Sequence, residues 1–350
     1  SMTEDCLVAL NTETGIERWR FWSEGPMRLA PAGWQGKIYA VSDDGHLYCL
    51  DAGTGALIWK FHGAPSDRRV LGNGRLISMW PARGGPVIRD GKVYFTAGIW
   101  PFMGIFIYAL DAGTGKVIWS NSSLGSVFVQ QQHNTSAFAG VAPQGYLTAT
   151  DDALLITGGR TAPVCLDRAT GILRHLDFAS RFFGKNAGGY AAPAQGGWFF
   201  NGEGMYRLAD GRPITPKKPA ILSEETLVVL ETNGPAAYAG RPDMRDIVKL
   251  DLRGMIIRTN EYFLHQLWQA DPGVNFEALH LQAGSRLFGS GKGGNIAAIE
   301  VPGNGRSTTL AWAARVAGDV WDMVAADDRL FVVTRQGAIY CFGENIVIPR

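Results

Sequence analysis

The chain has 350 residues, 46% hydrophobic and 11% aromatic, with 45 glycines and 17 prolines. No uninterrupted apolar run is long enough to cross a bilayer, and a formal charge of +1 gives no net field to draw the molecule to nucleic acid or anionic lipid. The expectation is a soluble, turn-rich globular protein with no nucleic-acid partner and no transmembrane segment.

Internal repetition is plain from the N-terminus onward. Leu7-Val8-Ala9-Leu10-Asn11-Thr12-Glu13-Thr14-Gly15, Leu47-Tyr48-Cys49-Leu50-Asp51-Ala52-Gly53-Thr54-Gly55 and Ile107-Tyr108-Ala109-Leu110-Asp111-Ala112-Gly113-Thr114-Gly115 are copies of one unit. Trp19, Trp59 and Trp119 stand at one fixed offset after Gly15, Gly55 and Gly115. A fourth copy, Pro163 to Gly171, keeps the turn and carries His175 where the tryptophan would be. Weaker versions follow at Tyr206-Arg207-Leu208, Ile247 to Asp251, Ile296 to Glu300 and Ile339 to Phe342.

An Asp or Asn that bonds the backbone ahead of it, followed by a glycine free to take positive φ, predicts a tight hairpin. Ahead of most copies lies another strand: Lys37 to Val41, Lys92 to Phe95, Ala153 to Ile156, Trp198 to Phe200, Arg286 to Phe288 and Arg329 to Val333. Four strands per period is one blade of an all-β propeller. The recurring tryptophans are expected between neighbouring blades, each indole N–H bonded to a turn carbonyl.

The pattern Tyr-x-Leu-Asp-x-x-Thr-Gly-x-x-x-Trp resembles the PQQ-like (quinoprotein-type) propeller repeat, the family of quinoprotein dehydrogenases and of the propeller lipoprotein of outer-membrane protein assembly. The resemblance is specific in the first third and diffuse after about Pro213. It implies one propeller domain over 1–350, expected to be part of a larger bacterial protein of the periplasm or cell envelope. Seven inner hairpins against eight third-strand signatures predict seven blades, with strands 320–343 joined by an N-terminal strand from within 6–21. Eight blades is the alternative.

The chemistry that the resemblance brings is missing its parts. Quinoprotein dehydrogenases hold PQQ under a vicinal disulfide, beside a metal held by Glu and Asn and a basic Asp. This chain has four cysteines, none adjacent, and Cys49, Cys165 and Cys341 fall where other copies have a small core residue. No PQQ is therefore expected. Its six histidines show no metal or metalloprotease spacing, and Gly289-Ser290-Gly291-Lys292-Gly293-Gly294 has neither P-loop nor serine-elbow spacing. Asp43-Asp44, Asp151-Asp152 and Asp327-Asp328 read as turn residues.

The third-to-fourth-strand turns are expected to be uniformly short, with long excursions at 62–83, 99–106, 122–139, 178–189 and 259–274 on the opposite face. Rigid frames carry binding residues on such loops. The candidate binding residues are Arg68, Arg69, Arg75, Trp80, Arg83, Trp100, His133, Asn134, Arg160, Lys185, Asn186, Trp321 and Asp322, joined by Trp268 and Arg335. Arginine forks and aromatic faces suit an anionic or polar ligand such as a glycan or peptide, or a protein partner. The leading reading is a non-catalytic ligand-binding or interaction scaffold. The alternative is an enzyme with an axial site containing Trp100, His133, Asn134, Arg160 and Asp322.

Overall fold

A computed structural model describes residues 5–348 apart from 73, 131–135, 139, 179–186, 217, 224, 251–252, 302–307 and 344–345. Among the described residues there is no α-helix; single 3-10 turns at Pro101–Met103 and Lys292–Gly294 interrupt an otherwise all-β chain. The chain divides into two compact units, Ser1–Pro216 and Lys217–Arg350.

The first unit contains antiparallel sheets whose four strands follow one another in sequence, the unit of a propeller blade. One runs Ala32–Trp34, Lys37–Val41, His46–Asp51 and Leu57–His62. The next runs Gly84–Arg89, Lys92–Ala97, Phe106–Asp111 and Val117–Asn121, with Gly145–Tyr146 added parallel to its first strand. Thr148–Ala149 to Leu173–His175 and Ala194–Gln195 to Pro213–Pro216 supply two more. Cys6–Leu10 and Glu17–Trp22 form a two-stranded sheet that packs Leu7, Trp19 and Phe21 onto Ala40, Tyr48 and Leu50. Central strands are buried on both faces and read as continuous apolar runs, as in His46–Asp51.

The repeated turn forms as its residues dictate. The Asp51 carboxylate accepts from the backbone N–H groups of Gly53 (3.0 Å) and Thr54 (2.8 Å) and from the Thr54 hydroxyl (2.8 Å). Gly55, at φ 74°, closes the turn by donating to Asp51 O at 2.8 Å. Asp111 and Asp167 repeat the bonds to their threonines, and Asn11 reproduces the backbone-binding part. Each turn follows a β-bulge at one register position, Ala9/Leu10, Cys49/Leu50, Ala109/Leu110 and Cys165/Leu166.

Opposite the small residue before each bulge stands the docking side chain: Trp19 faces Ala9, Trp59 faces Cys49, Trp119 faces Ala109 and His175 faces Cys165. The indole of Trp19 donates to Ala52 O (3.0 Å) of the following repeat, and that of Trp119 to Arg168 O (3.1 Å). His175 keeps the bond in place of tryptophan, with Nε2 3.0 Å from Leu208 O. Trp59 departs from this, because Tyr39 Oη takes the equivalent Ala112 carbonyl at 2.7 Å and leaves the buried Trp59 N–H without a partner. The following repeat's glycine receives each ring face: a Cβ on Gly55 would lie 2.6 Å from Trp19, and one on Gly171 2.5 Å from Trp119.

The second unit repeats the theme from residues that carry little of the signature. Its sheets run Ile221–Leu222, Thr226–Glu231, Gly234–Ala239 and Gln266–Gln269; then Ala278–Ala283, Arg286–Ser290, Asn295–Glu300 and Leu310–Arg315; then Val320–Ala326, Arg329–Thr334, Ile339–Gly343 and Ile346–Ile348. Trp268 faces Ala237 and Trp312 faces Ala298, each beside a bulge, at the docking register of the first unit.

Four expectations change here. Of the stretch Ile247 to Asp251, the described residues 247–250 are not a third strand: Asp243–Leu250 pairs with Ile256–Phe263 in a solvent-exposed hairpin, and the third strand is Gly234–Ala239. The third-to-fourth connection of that sheet is consequently long, and Trp268, expected on a loop, belongs to an outer strand. The place beside Ile339–Gly343 is taken by Ile346–Ile348, where a strand from within 6–21 was expected. Pairing decides strand identity, and an exposed hairpin can mimic the apolar spacing of a core strand.

Candidate functional site

The hairpin turn between Lys37–Val41 and His46–Asp51 organises a dense polar cluster in the first unit. Its carboxylates are buried, Asp43 at 1% and Asp44 at 9% exposure, so each must be compensated. Asp43 accepts from Arg83 through both oxygens, at 2.7 and 2.8 Å, and from Arg28 Nε at 2.7 Å. Asp44 accepts from the Tyr48 hydroxyl (2.6 Å), the Glu24 N–H (3.1 Å) and the His46 N–H (2.9 Å), with His46 Nδ1 at 3.2 Å. Burial pushes its pKa up, but the His46 and Tyr48 bonds outweigh it and hold Asp44 below the usual carboxylate value.

Strand register then builds the wall of a cavity. His46 and His62 are direct cross-strand partners, and their rings stack at 4.5 Å. Burial, and then the neighbouring His46, keep the His62 imidazole below its ordinary pKa. Beyond His62 the chain forms a small hairpin, Arg69–Gly72 with Arg75–Ser78, that folds back on the turn: Ser78 N donates to Asp43 O and Met79 N to Arg68 O, both at 2.8 Å. The half-open cavity has a volume of about 340 Å³, and Lys60, Arg68 and Arg69 line it together with Glu24, Asp44 and Asp67, beside His46 and His62. Arg69 is paired with Glu24, and His62 Nδ1 lies 3.6 Å from Asp67. The Lys60 and Arg68 side chains have no ion-pair partner among the described residues.

The candidates thus separate by environment. Arg68 and Arg69 line the cavity, whereas Arg75 pairs with Asp5 and Arg83 is committed to Asp43. Trp80 is 8% exposed and serves as a spacer: its indole donates to Met103 O at 2.6 Å and its ring meets Phe106 edge-on, which ties excursion 62–83 to 99–106. Trp100 is half-buried before the Pro101–Met103 turn, and the exposed Arg160 lies over the Phe178 ring at 5.6 Å. In the second unit, the exposed Trp321 ring carries Arg335 at 4.5 Å and Asp322 approaches His280. His133, Asn134, Lys185 and Asn186 fall outside the described residues. Sequence reading missed Arg28, Asp43, Asp44, His46, Lys60 and His62. The paired histidines become visible only once the hairpin register is known.

The free cysteines are Cys6, Cys49, Cys165 and Cys341, each on a different sheet, and burial pushes the Cys165 thiol up to about 12. Among the described residues no three His, Cys, Asp or Glu side chains converge as metal ligands.

Residues 2–79, which span the first two copies of the turn and this cavity's histidines, match the family model described as outer membrane protein assembly factor BamB. Over those residues the repeats are of the PQQ-like propeller type. In sequence, the chain is similar to the dehydrogenase subunit of alcohol dehydrogenase (quinone) from Gluconobacter oxydans (strain 621H), 34% identical over 125 residues. That match covers 32% of this chain and 16% of the relative. The corresponding subunit from Acetobacter aceti is 31% identical over 128 residues, with the same coverage of both chains. In fold, the chain is similar to quinohemoprotein alcohol dehydrogenase ADHIIG from Pseudomonas putida HK5, with a TM-score of 0.55 and 13% identity over 97% of this chain and 67% of that one. A europium-containing methanol dehydrogenase gives a TM-score of 0.52 and 13% identity over 96% of this chain and 78% of that one.

Proposed function

We propose that this PQQ-like chain is a binding scaffold of the bacterial periplasm or cell envelope whose first unit is non-catalytic. In this reading its first unit takes an anionic group of a ligand or partner protein at the cavity beside the Asp43-Asp44 turn. The observation that carries the reading is the pair of uncommitted cations, Lys60 and Arg68, at the rim of a concave site with stacked histidines. Buried Asp43 and Asp44 fix the frame, so the wall is organised before anything binds. A guanidinium fork beside an ammonium suits carboxylate, phosphate or sulfate.

The reading includes no PQQ. Support comes from the cysteines, which sit singly on four sheets and cannot form the vicinal disulfide the resemblance implies. The envelope assignment draws on the match to the outer-membrane assembly factor model. No helix among the described residues is long and apolar enough to cross a membrane.

The test is calorimetric titration with inorganic phosphate, a sulfated disaccharide and an acidic hexapeptide. At least one should bind, with affinity falling as salt rises, and a Lys60→Ala, Arg68→Ala variant should weaken it by about tenfold or more, the loss of one or two charge-assisted bonds. Binding unchanged in that variant would remove the cavity from consideration.

A further inference from the structure

The second unit holds a polar set that the binding reading leaves unused. His280 Nε2 lies 2.8 Å from Ser290 Oγ, and His280 Nδ1 lies 3.5 Å from Asp322 Oδ1. The three residues come from three strands of two adjacent sheets, Ala278–Ala283, Arg286–Ser290 and Val320–Ala326. Placing Nδ1–H toward Asp322 leaves Nε2 as the acceptor for the Ser290 hydroxyl proton, so one tautomer satisfies both contacts.

Local structure aims these groups. His280 is the extra residue of a β-bulge, since Leu279 pairs with Gly289 and Leu281 with Phe288 while His280 has no partner in the ladder. Such a bulge turns one side chain out of the sheet's alternation. Ser290 stands between two glycines packed too closely for side chains: a Cβ on Gly289 would lie 2.5 Å from the Phe276 ring, and one on Gly291 2.5 Å from Asn275 O. The strand end carrying Ser290 is thereby pressed against the 275–278 segment and held in register with His280. His280 is 8% exposed at its side chain and Asp322 62%, so the set runs from the sheet interior out to solvent.

We propose that Ser290, His280 and Asp322 form a nucleophile, general base and orienting carboxylate that make Ser290 an acyl acceptor from small activated esters. In the forward step the Ser290 Oγ–C bond forms at the ester carbonyl carbon and the Oγ proton passes to His280 Nε2. The carbonyl electron pair moves to oxygen. When it returns, the bond from carbon to the alkoxy oxygen breaks, and the alkoxide leaves as alcohol with the proton from His280. Water, deprotonated by the same nitrogen, then releases the acid and restores Ser290. Asp322 acts through His280 by fixing its tautomer and orientation, and is a positioning residue.

The experiment uses the whole chain and diisopropyl fluorophosphate, which traps such a serine: the Oγ–P bond forms, the P–F bond breaks and fluoride leaves. Intact mass should rise by a single adduct that peptide mapping places on Ser290. Ser290→Ala should abolish it, His280→Gln should slow it by about a hundredfold or more, and Asp322→Asn by about tenfold or more. Asp322 lies largely in solvent, so that variant tests the base even where His280→Gln loses its fold, and circular dichroism of each variant identifies such a loss. Absence of a Ser290 adduct at saturating reagent overturns the proposal. So does an adduct that forms at the same rate in folded His280→Gln or Asp322→Asn. Because the phosphate-binding test reads the first unit and this one reads Ser290, the two readings stand or fall separately.

Discussion

Replacing the docking tryptophans one at a time by phenylalanine separates ring packing from hydrogen bonding, because the three sites share a fold position and differ in one bond. Trp19→Phe and Trp119→Phe each lose part of a half-buried ring and an indole bond, to Ala52 O at 3.0 Å and Arg168 O at 3.1 Å. Trp59→Phe loses the same ring area but removes a buried N–H that has no partner. A net bond contributes about 1 kcal/mol, and relief of an unsatisfied buried donor returns about 1 kcal/mol or more. Trp59→Phe should therefore destabilise the first unit by about 2 kcal/mol less than the other two substitutions. For a unit of 216 residues that is a smaller fall in Tm, by about 4–8 °C. Scanning calorimetry of the whole chain, with tryptophan fluorescence to follow the first unit, measures it. Tyr39→Phe supplies the complement, since it frees the Ala112 carbonyl for the Trp59 indole and should cost less than an ordinary buried tyrosine hydroxyl. Equal losses at Trp19, Trp59 and Trp119 would refute the view that the carbonyl bond, and not the ring, distinguishes the sites.

Other outcomes follow from the charged groups. Asp43→Asn strands two guanidinium groups on a buried amide and should cost about 3 kcal/mol in urea denaturation, whereas Arg28→Met, which leaves the Arg83 fork in place, should cost about 1 kcal/mol. A loss below about 0.5 kcal/mol for Asp43→Asn would show that the cluster is not anchored by its carboxylate. His62 and His280 have their pKa lowered chiefly by burial, so the unfolded chain takes up protons first on acidification. Their contribution is complete above the ordinary histidine value, about 6.5, and is lost as pH falls from there through the folded-state values. A His62→Asn, His280→Asn variant should accordingly show a flatter stability profile between pH 7.5 and 5 than the parent. Asp167, held down to about 2 first by Arg174 and then by Thr170, contributes stability that is complete above the ordinary aspartate value and is lost as pH falls from there toward 2; Arg174→Gln should move that acid limb upward in an acid titration followed by circular dichroism.

What could be read from residues alone was whatever is settled within a few positions of the chain. The Asp-x-x-Thr-Gly turn is complete in itself, since the carboxylate, threonine hydroxyl and glycine meet within five residues, and it located the outer hairpins of the first unit. In the second unit the same strand places are filled by Gly234-Pro235-Ala236-Ala237-Tyr238-Ala239, whose small residues carry no signature. The exposed Asp243–Leu250 strand imitates the signature instead. The cavity was legible in part, because Arg68 and Arg69 stand out by charge. Asp43 looked like an ordinary turn residue until Arg83, forty positions later, was found on its carboxylate. Trp80 showed the opposite error, for an aromatic in a basic loop proved to be a strut bonded to Met103 O.

The placement of each indole on the glycine of the repeat that follows gives the first unit a direction. Cohesion resides at junctions between consecutive repeats, so the segment that folds as a hairpin and the segment that adheres are offset by one step. Cutting the chain after His62 would bare the Trp59 ring and remove its seat at Gly115, while cutting before Ala32 would leave Gly55 with an uncovered groove and no orphaned indole. The two ends of any excised fragment are therefore unlike, one sticky and one receptive, a polarity suited to growth by adding repeats at either terminus.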